Sequence, residues 1–283
     1  MPLLKSRRGR VYSLKKLKYS NNLTRSSTIN SLLFAPKVGV EVDMDKLDIV
    51  RLGKIEYSSA LEIQESILAM RQRNEIEDTL LLLEHPPVLT LGKRGEYRNI
   101  LLSREELLQR GVKVFEVNRG GDVTYHGPGQ LVGYPVVDLK DRNKSIKDYV
   151  YKIEDVFISL LKEEYGIEAR RDEREYTGVW VGNSKITAIG VAVKKWVTMH
   201  GFAFNINTSL EHFSWINPCG ITDRGVTSLQ KLVGHELDME SMYELVIKYF
   251  CRVFGYETLE RPKPEELMKK EGAPHVSEKA RMA

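Results

Sequence analysis

Two thiols, one lysine and one glycine-rich stretch carry the residue types that could do chemistry. Cys219 sits in Ile-Asn-Pro-Cys-Gly-Ile-Thr, between a proline and a glycine, the setting of a turn in which a sulfur can be reached. Cys251 lies among Tyr249, Phe250, Val253 and Phe254, where a buried, inert thiol is expected. A free thiol titrates near ~8.5, so a nucleophilic cysteine needs a cation or a base beside it. A lysine ammonium at ~4 Å and an effective dielectric of ~20 offers ~4 kcal/mol before desolvation, enough to lower the thiol pKa by a unit or two. Lys185 is the candidate, because it follows the Gly182-Asn183 turn and leads Lys-Ile-Thr-Ala-Ile-Gly-Val-Ala-Val. Small Ala188 and Gly190 there let a substrate lie against the backbone. An ordinary solvated hairpin lysine is the other reading of that position. Likewise His-Gly-Phe-Ala-Phe-Asn offers small Gly201 and Ala203, as a pocket wall or as plain core strand.

Residues 119–130, Arg-Gly-Gly-Asp-Val-Thr-Tyr-His-Gly-Pro-Gly-Gln, can be a phosphate cradle, a metal site or a turn. A dinucleotide fingerprint needs G-x-G-x-x-G after a strand and opening a helix. Gly-Pro-Gly-Gln-Leu-Val-Gly has one residue too many, and the segment after it is strand-like. No G-x-x-x-x-G-K-[ST] is present. The six histidines show no pair at a metal-ligand spacing, and scattered histidines are more often hydrogen-bonded structural residues. The stretch therefore reads as a turn that crosses a site, with no metal expected; these motifs do not supply a nucleotide site, and a nucleotide held in another way stays open.

Several elements must position these residues. A strand from Leu47 leads to a helix with a capping-box pattern at Ser59 and Glu62, Leu61, Ile67, Leu68 and Met70 facing inward. Two apolar strands flank Pro86-Pro87, and Ser-Arg-Glu-Glu-Leu-Leu-Gln-Arg-Gly is a short helix with its own capping box and a terminal Gly111. Val-Lys-Val-Phe-Glu-Val and Leu-Val-Gly-Tyr-Pro-Val-Val-Asp-Leu read as strands on either side of the glycine-rich stretch. Residues 145–165 form the clearest helix, stopped by Gly166, and a last helix spans 239–254. Gly182-Asn183 joins two β-rich runs as a hairpin, and Val-Thr-Met-His-Gly-Phe-Ala-Phe-Asn-Ile-Asn adds a strand. Strands outnumber helices and are joined partly by hairpins. The fold class is α+β, a mixed, largely antiparallel sheet flanked by helices.

Composition bounds the rest. No apolar run nears the ~18 residues of a membrane span. Residues 1–40 carry nine Lys/Arg and no acid, leaving 34 basic against 39 acidic residues, a body at −5, which argues against a nucleic-acid-binding body. The basic, Ser/Thr-rich residues 1–43 read as a disordered extension, a plastid or mitochondrial transit peptide, or a start set too early. The domain proper is expected over 47–256 and a polar tail over 261–283. Two cysteines are too few for a disulfide scaffold, so a reducing compartment, by default the cytoplasm, is expected.

Three segments together resemble the lipoyl/octanoyl transferase family: Arg-Gly-Gly-Asp-Val-Thr-Tyr-His-Gly-Pro-Gly-Gln-Leu, Thr-Gly-Val-Trp-Val-Gly-Asn-Ser-Lys-Ile-Thr-Ala-Ile-Gly-Val with His-Gly-Phe-Ala-Phe-Asn-Ile-Asn, and Ile-Asn-Pro-Cys-Gly-Ile. They stand in the family's order and spacing across roughly residues 47–256. The resemblance implies the fold of the biotin and lipoate ligase catalytic domain. It implies an enzyme that moves an octanoyl (or lipoyl) group from acyl carrier protein to a lysine of lipoyl domains, on 2-oxo-acid dehydrogenase acyltransferase subunits and the glycine-cleavage H protein. By the same resemblance Cys219 is the acyl-thioester nucleophile and Lys185 the residue that lowers its pKa. Substrate contacts map onto Arg119, Gly120, Gly121, Asp122, Val123, Thr124, Tyr125 and His126, onto Ala188, Ile189 and Gly190, and onto Gly201, Phe202 and Ala203. The thioester supplies the energy, so neither ATP nor another cofactor is implied, and a monomer is expected. An ATP-dependent lipoate or biotin ligase and a non-catalytic module that docks carrier protein or lipoyl domains are the competing readings.

Overall fold

The computed structural model describes residues 4–5, 11–12, 45–141, 145–172, 176–217 and 224–259. The chain divides into two units, residues 1–43 and 44–283. In the first, β1 (Leu4–Lys5) pairs antiparallel with β2 (Val11–Tyr12); the rest of the basic extension, like the polar tail over 261–283, lies outside the described residues.

The second unit runs β3 (Asp45–Lys54), α1 (Tyr57–Gln72), β4 (Asp78–Glu84), β5 (Val88–Leu91), α2 (Arg104–Gln109), β6 (Lys113–Glu116), β7 (Val123–His126) and β8 (Gln130–Val136). It continues through α3 (Ile146–Tyr165), β9 (Arg170–Arg171), β10 (Gly178–Val181), β11 (Ser184–Lys194), β12 (Val197–Asn205), β13 (Gly225–Val226), α4 (Leu229–Val233), α5 (Met239–Phe254) and β14 (Tyr256–Leu259). The main sheet has the order β14-β3-β4-β8-β12-β11-β10-β9, with β13 added beside β11, and a second sheet has the order β6-β5-β7. Neighbours from β4 to β9 are antiparallel, whereas β14, β3 and β4 are mutually parallel. The fold is α+β with a mixed, largely antiparallel sheet, as the spacing of strands and hairpins predicts.

Local chemistry explains most element ends. Ser103 and Glu106 form the reciprocal capping box of α2, Ser145 accepts from the Asp148 N–H at the head of α3, and Gly166 ends that helix at φ 65°. Asp238 caps α5 and Gly255 closes it at φ 75°. Asn183 and Gly182 turn the β10–β11 hairpin, closing on the Val181–Ser184 pair.

The start of α1 differs from expectation. The Ser59/Glu62 capping box does not form; the helix begins at Tyr57, its N-cap is Glu56, and no side chain caps it. Tertiary contact overrides the local signal here, because the buried Tyr57 ring packs 5.2 Å from His85 and 5.0 Å from Phe115 and draws the first turn three residues earlier. Ile67, Leu68 and Met70 are buried as expected, while Leu61 is only partly covered.

One core lies between the sheet and α3 with α5, built around Phe157, Phe202, Phe204 and Phe250. A second lies between the opposite face and α1, and a third backs the small sheet around Tyr125 and Leu107. Cys251 belongs to the first and is buried, its thiol pushed up by burial to about 11.

Two glycines are required where β8 meets β12. A Cβ at Gly201 would stand 2.3 Å from the Gly133 carbonyl oxygen and 2.5 Å from Pro135 Cδ, and one at Gly133 would stand 2.0 Å from the Phe202 ring. Backbone cannot yield as a flexible side chain can, so Gly201→Ala is expected to destabilise the fold by about 3 kcal/mol, read as a lower urea midpoint with an unchanged m-value.

Candidate functional site

A cavity of about 480 Å³ opens where the glycine-rich stretch crosses strands β11 and β12. Its walls include residues 119–124 and His126, Ala188, Ile189 and Gly190, Gly201, Phe202 and Ala203, and Lys185. Tyr125 is placed otherwise: alternation along β7 turns its ring away, into a cluster with His212, Phe213 and Trp215. Residues 218–223, which carry Cys219, lie outside the described residues. On one flank the Asn217 N–H donates to the Asn99 carbonyl at 2.8 Å; on the other, β13 pairs with β11, Val226 opposite Lys185 and Gly225 opposite Ser184.

The glycine-rich stretch is half turn and half strand. Residues 119–122 form the turn, with Gly121 at φ 89°, and 123–126 are β7 of the small sheet. Arg119 braces the turn from within: it is 8% exposed and donates through Nη2 to the Thr90 carbonyl and hydroxyl, both at 2.8 Å, and through Nη1 to the Gly120 carbonyl at 3.0 Å. Gly190 leaves room for this crossing, since a Cβ there would stand 2.9 Å from the Gly120 oxygen.

From Arg119 a polar chain runs under the cavity. Thr90 Oγ1 lies 3.5 Å from His126 Nε2, and His126 Nδ1 lies 2.8 Å from Gln130 Oε1. Gln130 Nε2 donates to the Tyr125 carbonyl at 3.2 Å and to Asn205 Oδ1 at 2.9 Å, and Asn205 Nδ2 donates to the Thr227 carbonyl at 3.0 Å. These bonds orient the Gln130 amide and assign the His126 proton to Nδ1. The Thr227 N–H in turn donates to the Lys185 carbonyl at 3.0 Å. The turn that begins at Arg119 and the strand that carries Lys185 are thus joined by successive, mostly buried, hydrogen bonds.

Lys185 Nζ donates to the Thr177 carbonyl at 3.1 Å and stands 4.9 Å from the centre of the Trp180 ring. Arg224 lies 5.0 Å from the same ring, 5.1 Å from that of Tyr176, and pairs with Asp172. Lysine and arginine therefore share one aromatic wall of the cavity, with Lys185 held by a carbonyl acceptor and a π-face.

Sequence spacing offered no link between His85, His126 and His200, which the fold brings together, His126 and His200 on the cavity wall and His85 against His126. The His85 ring is 5.8 Å from that of His126, and Tyr134 touches both His85 and His200. His85 donates through Nδ1 to the Ile55 carbonyl at 2.7 Å and accepts at Nε2 from the Tyr134 hydroxyl at 2.8 Å. Within β12 His200 adopts φ 56°, and its N–H leaves the ladder for Gln64 Oε1 at 2.9 Å. Such a left-handed conformation in a strand stores of order 1–3 kcal/mol and tends to mark a functional site. Tyr57 and Tyr134 line the cavity although nothing in their local sequence singles them out, and Gln130 and His200, at the edges of two quoted motifs, line it too.

Burial holds the three histidines neutral. It lowers His126 to about 3, with the neighbouring His85 adding to the effect, His85 to about 4, and His200 to about 4, with Arg119 adding to the last. In the unfolded chain each takes up its proton near ~6.5. Stability is therefore full above pH ~6.5 and is lost as pH falls toward ~4, with a slope approaching roughly 4 kcal/mol per pH unit for three such groups. Urea midpoints at pH 7 and pH 5 check this, and equal midpoints would contradict it.

Residues 56–251 match the model of the lipoyl protein ligase A/B catalytic domain. The chain belongs to that family. Among curated family members it is 61% identical to the octanoyltransferase of Caldicellulosiruptor saccharolyticus, over 79% of this chain and 96% of that one. It is 63% identical to the octanoyltransferase of Desulforamulus reducens, over 75% and 92%. Solved structures extend the likeness in fold alone. A lipoate-protein ligase A bound with ATP superposes at TM-score 0.64 and 15% identity, over 80% of this chain and 93% of that one. A putative lipoate protein ligase of T. acidophilum does so at 0.63 and 15%, over 80% and 95%. As a member of the lipoyl protein ligase A/B family, the chain carries its cavity on the parts of the domain that the family model spans.

Proposed function

We propose that the chain is an octanoyltransferase: an acyltransferase that moves an octanoyl group from the thioester of acyl carrier protein to the lysine of a lipoyl domain. Lipoyl domains of 2-oxo-acid dehydrogenase acyltransferase subunits and the glycine-cleavage H protein are its acceptors. The observation that carries this reading is Lys185, held on the cavity wall by Thr177 and Trp180 with β13, the strand that comes after Cys219, paired to it.

In the mechanism, the Cys219 thiolate attacks the octanoyl carbonyl. The carbon–sulfur bond to the carrier's arm breaks, and the departing thiolate takes a proton from the Lys185 ammonium. The neutral amine of the acceptor lysine then attacks the enzyme thioester, an amide forms, the Cys219 thiolate leaves, and the amine's surplus proton passes to a base. Lys185 stabilises the thiolate as an ammonium and, once deprotonated, accepts that proton. Ala188, Gly190, Gly201 and Ala203 line the cavity that would receive the eight-carbon chain.

The catalytic domain spans 47–256 in this reading, flanked by the basic extension over 1–43 and the polar tail over 261–283, in a monomer working in a reducing, cytoplasmic compartment. Octanoyl-carrier protein and a lipoyl domain incubated with the full-length chain and no ATP should give the octanoyl amide, detected as an intact-mass gain of the acceptor. Amide that forms only from free octanoate and ATP would replace the transferase with a ligase, and no amide under either condition would remove both.

A further inference from the structure

The cavity carries far more positive charge than a neutral acyl chain requires. Among its described lining residues are five cations, Lys93, Arg94, Arg119, Lys185 and Arg224, against one carboxylate, Asp122, whereas residues 41–283 together are net negative. Asp122 is committed: one oxygen accepts from the Val123 N–H and the other from Asn99 Nδ2, each at 2.6 Å. Arg119 is spent on Thr90 and Gly120, Arg224 pairs with Asp172, and Lys185 bonds Thr177.

Lys93 and Arg94 differ from these three. Both are exposed at the rim of the cavity, and among the described residues neither side chain has a hydrogen bond or an ion pair. Their backbone, by contrast, is fastened. Gly92, Lys93 and Arg94 donate to the carbonyls of Asp122, Arg119 and Gly121 at 3.2, 3.0 and 3.1 Å, and the Gly95 N–H closes the turn on the Gly92 carbonyl at 2.8 Å. Glycine is required at Gly92, where a Cβ would stand 2.5 Å from the Gly121 oxygen. A turn clamped to the glycine-rich loop thus presents two exposed cations on the wall of the cavity.

We infer that Lys93 and Arg94 bind the phosphate of the donor's phosphopantetheine arm, so that the site reads phosphorylated thioesters. This rests on the acyl-carrier reading above and adds to it a residue-level site for the anionic part of the donor. A phosphate meeting two cations makes charge-assisted hydrogen bonds, and at an exposed rim these are weakened by solvent and salt. The resulting preference is about tenfold.

The test uses the full-length chain and two non-cleavable amide analogues, of octanoyl-pantetheine and of octanoyl-4′-phosphopantetheine, with affinities measured by calorimetry. The phosphorylated analogue should bind about tenfold tighter, less so at high salt, and in the Lys93→Ala/Arg94→Ala variant the two should bind alike. An equal affinity in the unaltered chain, or an advantage that survives the double substitution, overturns the assignment. So does a variant that weakens only apo-carrier protein, which lacks the arm, because the cations would then be reading acidic side chains of the carrier. If neither analogue binds while carrier-dependent transfer still proceeds, the phosphate site fails alone; if transfer fails as well, the acyl-carrier reading fails with it.

Discussion

Cys219→Ala should reduce octanoyl transfer by roughly 10⁴-fold or more, because covalent catalysis is lost outright and no step of the two-stage path survives without its nucleophile. The unaltered chain, given octanoyl-carrier protein and no acceptor, should accumulate an octanoyl adduct on Cys219 that hydroxylamine removes. The rival thiol is quantitatively poor. Burial pushes Cys251 to about 11, so at pH 7 only roughly one molecule in 10⁴ carries its thiolate, and its place in α5 packs it within the main core. Intact-protein and peptide mass spectrometry decide the matter. A hydroxylamine-labile adduct that persists in Cys219→Ser on another residue would move the nucleophile elsewhere.

Lys185→Met is expected to lower kcat by roughly 10²–10³-fold with little change in KM. Two losses combine. Without the ammonium the thiol returns toward ~8.5, so only a few per cent is thiolate at neutral pH, and a proton acceptor for the incoming amine disappears, an effect of order 10²-fold. Lys185→Arg should not restore the rate, since a guanidinium keeps its proton throughout. Alkylation of Cys219 by iodoacetamide, followed across pH, isolates the first loss from turnover: its midpoint should rise toward ~8.5 in Lys185→Met. An unchanged midpoint would leave Lys185 as a structural residue on the Trp180 wall, where Thr177 and the ring already hold it.

Both predictions turn on residues visible in the sequence, and their visibility has a physical basis. Lys185 follows a Gly-Asn turn whose backbone demands are local, and the hairpin forms there with Gly182 at φ 55°. Capping at Ser103, Ser145 and Asp238, and helix arrest at Gly166 and Gly255, involve groups within a few residues of each other, so the chain states them without reference to the fold. Ser59 and Glu62 show the limit of such signals. Their pattern is as good as that of Ser103, yet the helix starts at Tyr57 because a buried ring packed against residues 28 and 58 positions away in sequence outweighs a cap of about 1 kcal/mol.

What the chain determined alone was therefore its elements, their punctuation, the small residues Ala188, Gly190, Gly201 and Ala203 at the cavity wall, and the lysine at the head of β11. Tertiary structure decided the rest. The order of strands in the sheet brought His85, His126 and His200 into one neutral cluster and turned residues 123–126 into a strand. It ran a hydrogen-bonded chain from Arg119 to Thr227, and it hung Lys93 and Arg94 over the cavity rim. None of these contacts has a local signature, because a side chain's spacing along the chain specifies which face of its own element it occupies, and only the pairing of distant strands specifies what that face meets.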